Sequence, residues 1–257
     1  MRVLPVAVGM FLGAPTLSRE LESGSFRFSW TQAVARQRQV ITTFAVLAGF
    51  LVVASVALGL LYGWFAHPYE VAQVHSQWDS GQFESTPLAL AGWATFAFAL
   101  GTLLGTVIGR TVAAMAASAI TLGALVVATT FELVQRLLAI APVVVSHIAP
   151  TTNFGGLNVA SYRGYGIPGT WLVRAWVTGP HGFLVTSNAD ISLENSAYYP
   201  KGGKPDPAKW LSVHHYVYSL AYQPASRFWI FQGVEIAILF IVAGALIAGT
   251  LWRVRRV

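Results

Sequence analysis

Histidines are the first candidates for chemistry in this sequence, because imidazole binds metal ions and carries protons near neutral pH. His67 and His75 stand in one polar stretch with Glu70 and Asp79. These four side chains could supply oxygen and nitrogen ligands to a metal ion. A solvated loop between two apolar runs explains the stretch better than a metal site, and we therefore predict no bound metal.

Motifs for nucleophilic or phosphate chemistry do not accompany these residues. The sequence contains neither a G-x-S-x-G turn nor a G-x-x-x-x-G-K-[ST] loop. It has no cysteine, which excludes disulfides and thiolate metal sites within the chain. We predict that the chain is not an enzyme, has no cofactor of its own and does not hydrolyse ATP.

One carboxylate lies inside an apolar run. Glu235 stands about one or two helical turns into residues 228–252. Ionisable residues in the middle of a membrane helix mark ion or proton paths, but this position is near the end of the run. Two interpretations stay open: a functional carboxylate, or an interfacial one that pairs with Gln232 or Arg227.

The composition indicates a membrane protein. Hydrophobic residues make up 55% of the chain and charged residues only 10%, whereas soluble domains carry about 25% charged residues. The net charge is +6, but the arginines punctuate apolar runs and do not cluster on one polar module. This pattern favours the lipid bilayer as a partner and argues against nucleic acid.

Apolar runs long enough to cross a bilayer need roughly 20 residues in a helix. Four runs reach that length, at residues 40–65, 87–108, 111–133 and 228–252. Residues 1–17 are shorter and are interpreted as a partial or short transmembrane helix. Gly101 and Gly105 in the second full run, with Gly109 directly after it, have a spacing that lets another helix approach closely. The predicted fold class is an all-α polytopic membrane protein.

Residues 18–39, called the coupling segment below, are polar and amphipathic. Ser18 is predicted to cap a helix whose first turn holds Glu20, since acidic groups there suit the helix dipole. Gly24 is predicted to break that helix. A second helical piece is predicted from about Ser29, which leads into the span that begins at residue 40.

The remaining segments lack a membrane-length run. Residues 134–227 contain many Gly, Pro and Asn residues and alternating stretches such as residues 170–177. These features predict a small, mixed extracytoplasmic segment, partly β and partly irregular, before the last helix. Residues 253–257 form an Arg-rich tail.

The distribution of arginine predicts the orientation. The loop between the first two full spans has no Lys or Arg, whereas basic residues lie at the other ends of the spans: Arg19, Arg27, Arg36, Arg38, Arg110, Arg253, Arg255 and Arg256. By the positive-inside rule, the coupling segment and the C-terminus are cytoplasmic in a multi-pass plasma-membrane protein. This puts the N-terminus outside and predicts that a first transmembrane helix is missing.

Two sets of residues resemble a known family. The first consists of Gly13-Ala14-Pro15, Arg19-Glu20-Leu21-Glu22-Ser23-Gly24-Ser25, and Trp30-Thr31-Gln32 with Arg36. The second, at the start of the last helix, consists of Tyr222, Gln223, Pro224, Arg227, Trp229 and Glu235. Together they resemble the permease subunits of ABC-2 type transporters, in particular a group common in actinobacteria. Ser25 stands where that family usually has Thr, and the family's first helix has no counterpart.

The resemblance implies a function. The family's membrane domain exports substrates when a separate ATPase dimer, which binds ATP and Mg²⁺, grips a cytoplasmic coupling helix. The corresponding contacts here would be Arg19, Glu20, Glu22, Gly24, Ser25, Trp30, Thr31, Gln32 and Arg36. A second permease chain is expected as a further partner. The alternative is a membrane-anchored sensor or scaffold whose extracytoplasmic segment binds a ligand or partner.

Overall fold

The structure is a computed structural model that describes residues 3–23, 36–71, 78, 80–130, 144–148, 170–179, 184–185, 215 and 217–256. The chain divides into two compact units. The first comprises Met1–Ile140 and Trp229–Val257, and the second comprises Ala141–Phe228. Five of the predicted coupling residues lie outside the described residues: Gly24, Ser25, Trp30, Thr31 and Gln32.

Helices build the first unit. In chain order they are α1 (Val3–Ala7), α2 (Ala14–Ser23), α3 (Arg36–Val71), α4 (Ser80–Phe83), α5 (Pro87–Ile108), α6 (Thr111–Thr130) and α7 (Phe228–Arg256). Four stretches are long and apolar enough to cross a membrane: Val40–Pro68, Pro87–Ile108, Thr111–Ala128 and Ala225–Arg255. The predicted all-α polytopic fold class is confirmed.

Helix α5 lies at the centre of this unit. In its most apolar stretch 67% of the residues are buried, against 22% in each of the other three candidate spans. It packs against α2, α3 and α6. Most of its buried residues are Ala, Gly or Thr. Small side chains therefore allow its neighbours to approach closely from several sides.

Backbone approaches backbone between α5 and the chain that joins α1 to α2, a π-helical turn at Val8–Gly13. A Cβ atom on Gly101 would lie 2.9 Å from the nitrogen of Ala14 and 3.0 Å from the Cα atom of Gly13. A Cβ atom on Gly105 would meet the carbonyl oxygen of Ala14. Backbone thus faces backbone at both positions, and no side chain larger than hydrogen fits.

Gly109 does not share in this packing, contrary to the prediction. Nothing lies within 4 Å of the position that its Cβ atom would take. It ends α5 with a φ of 66°, and its N–H donates to the carbonyl oxygen of Gly105. The glycine is needed for this left-handed C-cap conformation, which side chains disfavour.

The predicted N-cap at Ser18 is also wrong. The helical segment runs from α1 through the π-helical turn to Ser23, so residue 18 lies inside α2. Ser18 is buried, and its hydroxyl donates to the carbonyl oxygen of Ala14 at 2.7 Å. A serine within a helix can satisfy its hydroxyl in this way without any free helix end.

Two other helices continue past their predicted ends. Helix α3 passes Pro68 and reaches Val71, although the sequence predicted a loop from residue 67. A proline this close to the end of a helix removes one backbone donor, and few later turns depend on it. Helix α7 extends to Arg256, so the arginines of the predicted tail lie on a helix.

Strands build the second unit. They are β1 (Val144–Ile148), β2 (Trp171–Thr178), β3 (Leu184–Val185) and β4 (Val217–Gln223), in the antiparallel order β1-β4-β2-β3. The pairing of β2 with β4 is irregular between Leu172 and Arg174. Strand β2 covers the alternating stretch that the sequence analysis singled out.

Candidate functional site

The end of the coupling segment that the structure describes is bonded to the start of α6. The backbone N–H of Thr111, the first residue of α6, donates to Oε2 of Glu22 at 2.9 Å. The first turn of a helix has free N–H groups and a partial positive charge, which suit a carboxylate. The Oγ atom of Ser18 lies 3.2 Å from Oγ1 of Thr111. We call Ser18, Glu22 and Thr111 the α2–α6 contact.

The electrostatics of this contact stabilise the charged form of Glu22. The Thr111 amide, and then its hydroxyl, lower the pKa of the Glu22 carboxyl below its ordinary value, and the positive charge of Arg110 adds to the effect. At neutral pH, Glu22 is therefore an exposed carboxylate that is ionised and hydrogen-bonded to Thr111. The family resemblance predicted Glu22 as a contact with the ATPase. Its partner Thr111 was not predicted, although a position just after Gly109 and Arg110 marks a helix start.

The lowered pKa gives this contact a defined pH dependence. Because the folded-state pKa lies below the unfolded-state value, the contribution of Glu22 to stability is complete at neutral pH. It is lost as the pH falls through the folded-state pKa, below the ordinary glutamate value of about 4.3. We expect Glu22→Gln to lower the thermal unfolding midpoint in detergent at pH 7 and to flatten its dependence on acidic pH.

The matched control is Glu20→Gln on the same helix, which leaves the Glu22–Thr111 bond in place. It should keep the acid dependence of the wild type. A Glu22→Gln variant with the wild-type unfolding midpoint at both neutral and acidic pH would show that the carboxylate contributes nothing to this contact.

The other predicted coupling residues are placed only in part. Arg19 is exposed and Glu20 is half-buried on α2. Arg36 is the first residue of α3. The remaining members of the predicted set lie outside the described residues: Gly24, Ser25, Trp30, Thr31 and Gln32.

A second group of polar side chains joins α5 to α7 at the opposite end of the bundle. The amide nitrogen of Gln232 donates to the carbonyl oxygen of Phe83 at 2.7 Å, and its oxygen accepts from the hydroxyl of Thr86 at 2.8 Å. Gln232 is almost completely buried. Both ends of its amide are thus satisfied by residues distant in sequence, as a buried amide requires.

Glu235 lies one turn further along α7. The indole N–H of Trp93 on α5 donates to its Oε1 atom at 3.0 Å. One of the two open interpretations expected a polar partner such as Gln232 or Arg227. The partner that the structure shows is Trp93, while Gln232 bonds Thr86 and Phe83. Thr86, Trp93, Gln232 and Glu235 are called the α5–α7 polar cluster below.

Aromatic rings surround one side of this cluster. Trp78 and Phe231 meet edge to face with ring centroids 5.7 Å apart, and Trp78 stacks on Phe83 at 6.1 Å. All three rings are buried. Such pairs add packing energy beyond the area they bury, so the start of α7 is held by ring contacts as well as by hydrogen bonds.

The other residues predicted at the start of the last helix have local roles. Tyr222 and Gln223 end β4, and Pro224 precedes a short 3₁₀ turn at Ala225–Arg227. The guanidinium of Arg227 donates to Oε1 of Gln223 at 2.9 Å. Trp229 is exposed on α7.

The histidine set is described only in part. His67 is exposed near the end of α3, while His75 and Asp79 lie outside the described residues. Within the described part of the chain, no three His, Asp or Glu side chains come together at a distance suited to a metal ion.

The bundle and its four candidate spans define a multi-pass membrane protein. The profile of a protein family described as ABC-2 membrane transporter related matches residues 1–135, which is more than half of the chain. The chain therefore belongs to this family and is a transporter permease subunit. The matched region includes the whole α2–α6 contact. No curated protein and no solved structure is significantly similar to the chain.

Proposed function

We propose that this permease is the membrane subunit of an ATP-driven exporter, moved by a separate ATPase dimer that binds ATP and Mg²⁺. The observation that carries the proposal is the bond between Glu22 and Thr111. It connects the coupling segment, which the family resemblance assigns to the ATPase, directly to a membrane-spanning helix. The chain then needs no ATP site of its own.

The packing supports a mechanical route from this contact into the bundle. A displacement of α2 would move α6 through Glu22 and Ser18, because both contact Thr111. It would also move α5, since Gly101 and Gly105 leave no space between α5 and the backbone near Ala14. Tightly packed helices move as bodies and do not absorb small displacements. Motion at the segment would therefore reach the centre of the bundle.

The charge distribution supports a cytoplasmic coupling segment. A hydrophobic core brings together Leu17, Val40 and Val254, so α2, the start of α3 and the end of α7 share one end of the bundle. Exposed arginines cluster at that end, where positive-inside orientation would put the cytoplasm: Arg19, Arg38, Arg110, Arg253 and Arg255. A second permease chain would complete the transport path.

The test is co-purification of the tagged full-length chain from detergent with identification of its partners by mass spectrometry. We expect an ABC ATPase to accompany the wild type. Arg19→Glu should reduce its recovery by at least about tenfold, because charge reversal at an interfacial arginine removes a hot-spot contact. Trp30→Ala, which truncates another of the predicted ATPase contacts, should act in the same direction.

Arg255→Glu is the matched control, because it reverses an exposed arginine on α7, outside the coupling segment. Its recovery of the ATPase should equal that of the wild type. If Arg19→Glu and Trp30→Ala both retain the ATPase, the coupling segment is not the docking surface. If well-folded wild-type protein brings no ATPase, the sensor or scaffold function gains support.

A further inference from the structure

Glu235 has an unusual environment for a carboxyl group. Its side chain is only 5% exposed, and it lies within a candidate membrane span. Trp93 donates one hydrogen bond to Oε1. The other oxygen, Oε2, is buried and has no hydrogen-bond partner among the described residues. Among the described neighbours, the neutral indole N–H of Trp93 is therefore the one hydrogen-bond donor to this carboxyl group.

An ionised carboxylate is poorly accommodated in such a place. Burying an ion without a counter-charge costs far more than burying a neutral hydroxyl group without a partner. Among the described residues no positive charge acts on it, and the one ionisable group that does is Glu84, which is also acidic. The amide of Gln232 already forms hydrogen bonds with Phe83 and Thr86.

The same burial decides which positive species can neutralise the carboxyl group. A metal ion or an organic cation would need space beside Oε2 and further oxygen ligands. A proton needs neither. We propose that Glu235 is a proton-binding site, a carboxylic acid with its proton on Oε2 while α5 and α7 are packed together.

Proton binding then depends on the packing of the two helices. If α7 moves away from α5, water reaches Oε2, the O–H bond breaks, and the proton passes to water while a carboxylate remains. The packed pair holds the proton and the separated pair releases it. A higher pH therefore favours separation of α5 and α7, and a lower pH favours their packing.

Infrared spectroscopy of the full-length chain in lipid nanodiscs tests this proposal. At neutral pH the wild type should show the carbonyl stretching band of a protonated carboxylic acid, and Glu235→Gln should lack it. Glu84→Gln is the matched control and should keep the band. Trp93→Phe removes the hydrogen bond to Oε1 but leaves Glu235 in place, so the band should persist at a shifted frequency.

Two results would overturn the proposal. One is the absence of a carboxylic acid band in the wild type at neutral pH, which would mean that Glu235 is ionised. The other is a carboxylic acid band whose frequency does not change in Trp93→Phe, because such a band would belong to another residue. The Trp93→Phe measurement also keeps the proposal testable if Glu235→Gln does not fold. Neither measurement involves an ATPase or transport, so the outcome is independent of the exporter proposal.

Discussion

Gly101→Val should prevent the helices of the first unit from packing and lower the free energy of unfolding by about 3 kcal/mol, the upper end of typical overpacking effects. Its new side chain would meet backbone atoms of Gly13 and Ala14 at 3.0 Å or less. Backbone cannot rotate away as the end of a flexible side chain can. The measurement is thermal unfolding in detergent, with the loss of the monodisperse peak in size-exclusion chromatography as the readout.

Gly123→Val on α6 is the matched control. It makes the same substitution within a helix, but nothing lies within 4 Å of the Cβ position at Gly123. We expect a shift in its unfolding midpoint much smaller than that of Gly101→Val. Equal shifts in the two variants would mean that helix propensity, and not the contact at Gly101, limits stability.

Gln232→Leu should lower the free energy of unfolding by about 2 kcal/mol, because each of the two groups that bond the buried amide would lose that hydrogen bond. The partners are the carbonyl oxygen of Phe83 and the hydroxyl of Thr86. Thr86→Val should cost less, because Gln232 would keep its bond to Phe83. The cost of the double variant should fall short of the sum by about 0.6 kcal/mol and by no more than about 1.7 kcal/mol, the average and the maximum measured for such hydrogen bonds by double-mutant cycles in a membrane protein.

The double-mutant cycle has its own control in Thr121→Val, an exposed threonine on α6. Combined with Gln232→Leu, it should give strictly additive changes in unfolding free energy, since the two residues share no partner. Additivity between Gln232→Leu and Thr86→Val would contradict the hydrogen bond in the α5–α7 polar cluster.

The membrane helices could be predicted because hydrophobic length is a local property of the sequence. Helix α5 occupies Pro87–Ile108, with a proline at its start and a glycine after its end, signals that a sequence displays directly. The family could be recognised for a similar reason, since most of the residues that resemble it lie close together between Gly13 and Arg36.

Residue roles were harder to predict because they depend on contacts between distant parts of the chain. The i, i+4 spacing of Gly101, Gly105 and Gly109 is the same for packing and for a C-cap, and only the backbone φ of Gly109 separates the two roles. Ser18 has cap chemistry, yet in a continuous helix it bonds a backbone carbonyl instead. Trp93, the partner of Glu235, lies 142 positions away, and no local pattern relates the two helices.

The burial of α5 also affects the order in which the protein can be assembled. This helix is made early, and α7, which supplies Glu235 as the acceptor for Trp93, is made only after the entire second unit. Until then the indole N–H group of Trp93 lacks that acceptor. A ribosome-bound chain that stops before Phe228 would thus hold an unfinished bundle, which membrane quality-control proteases could distinguish from the completed one.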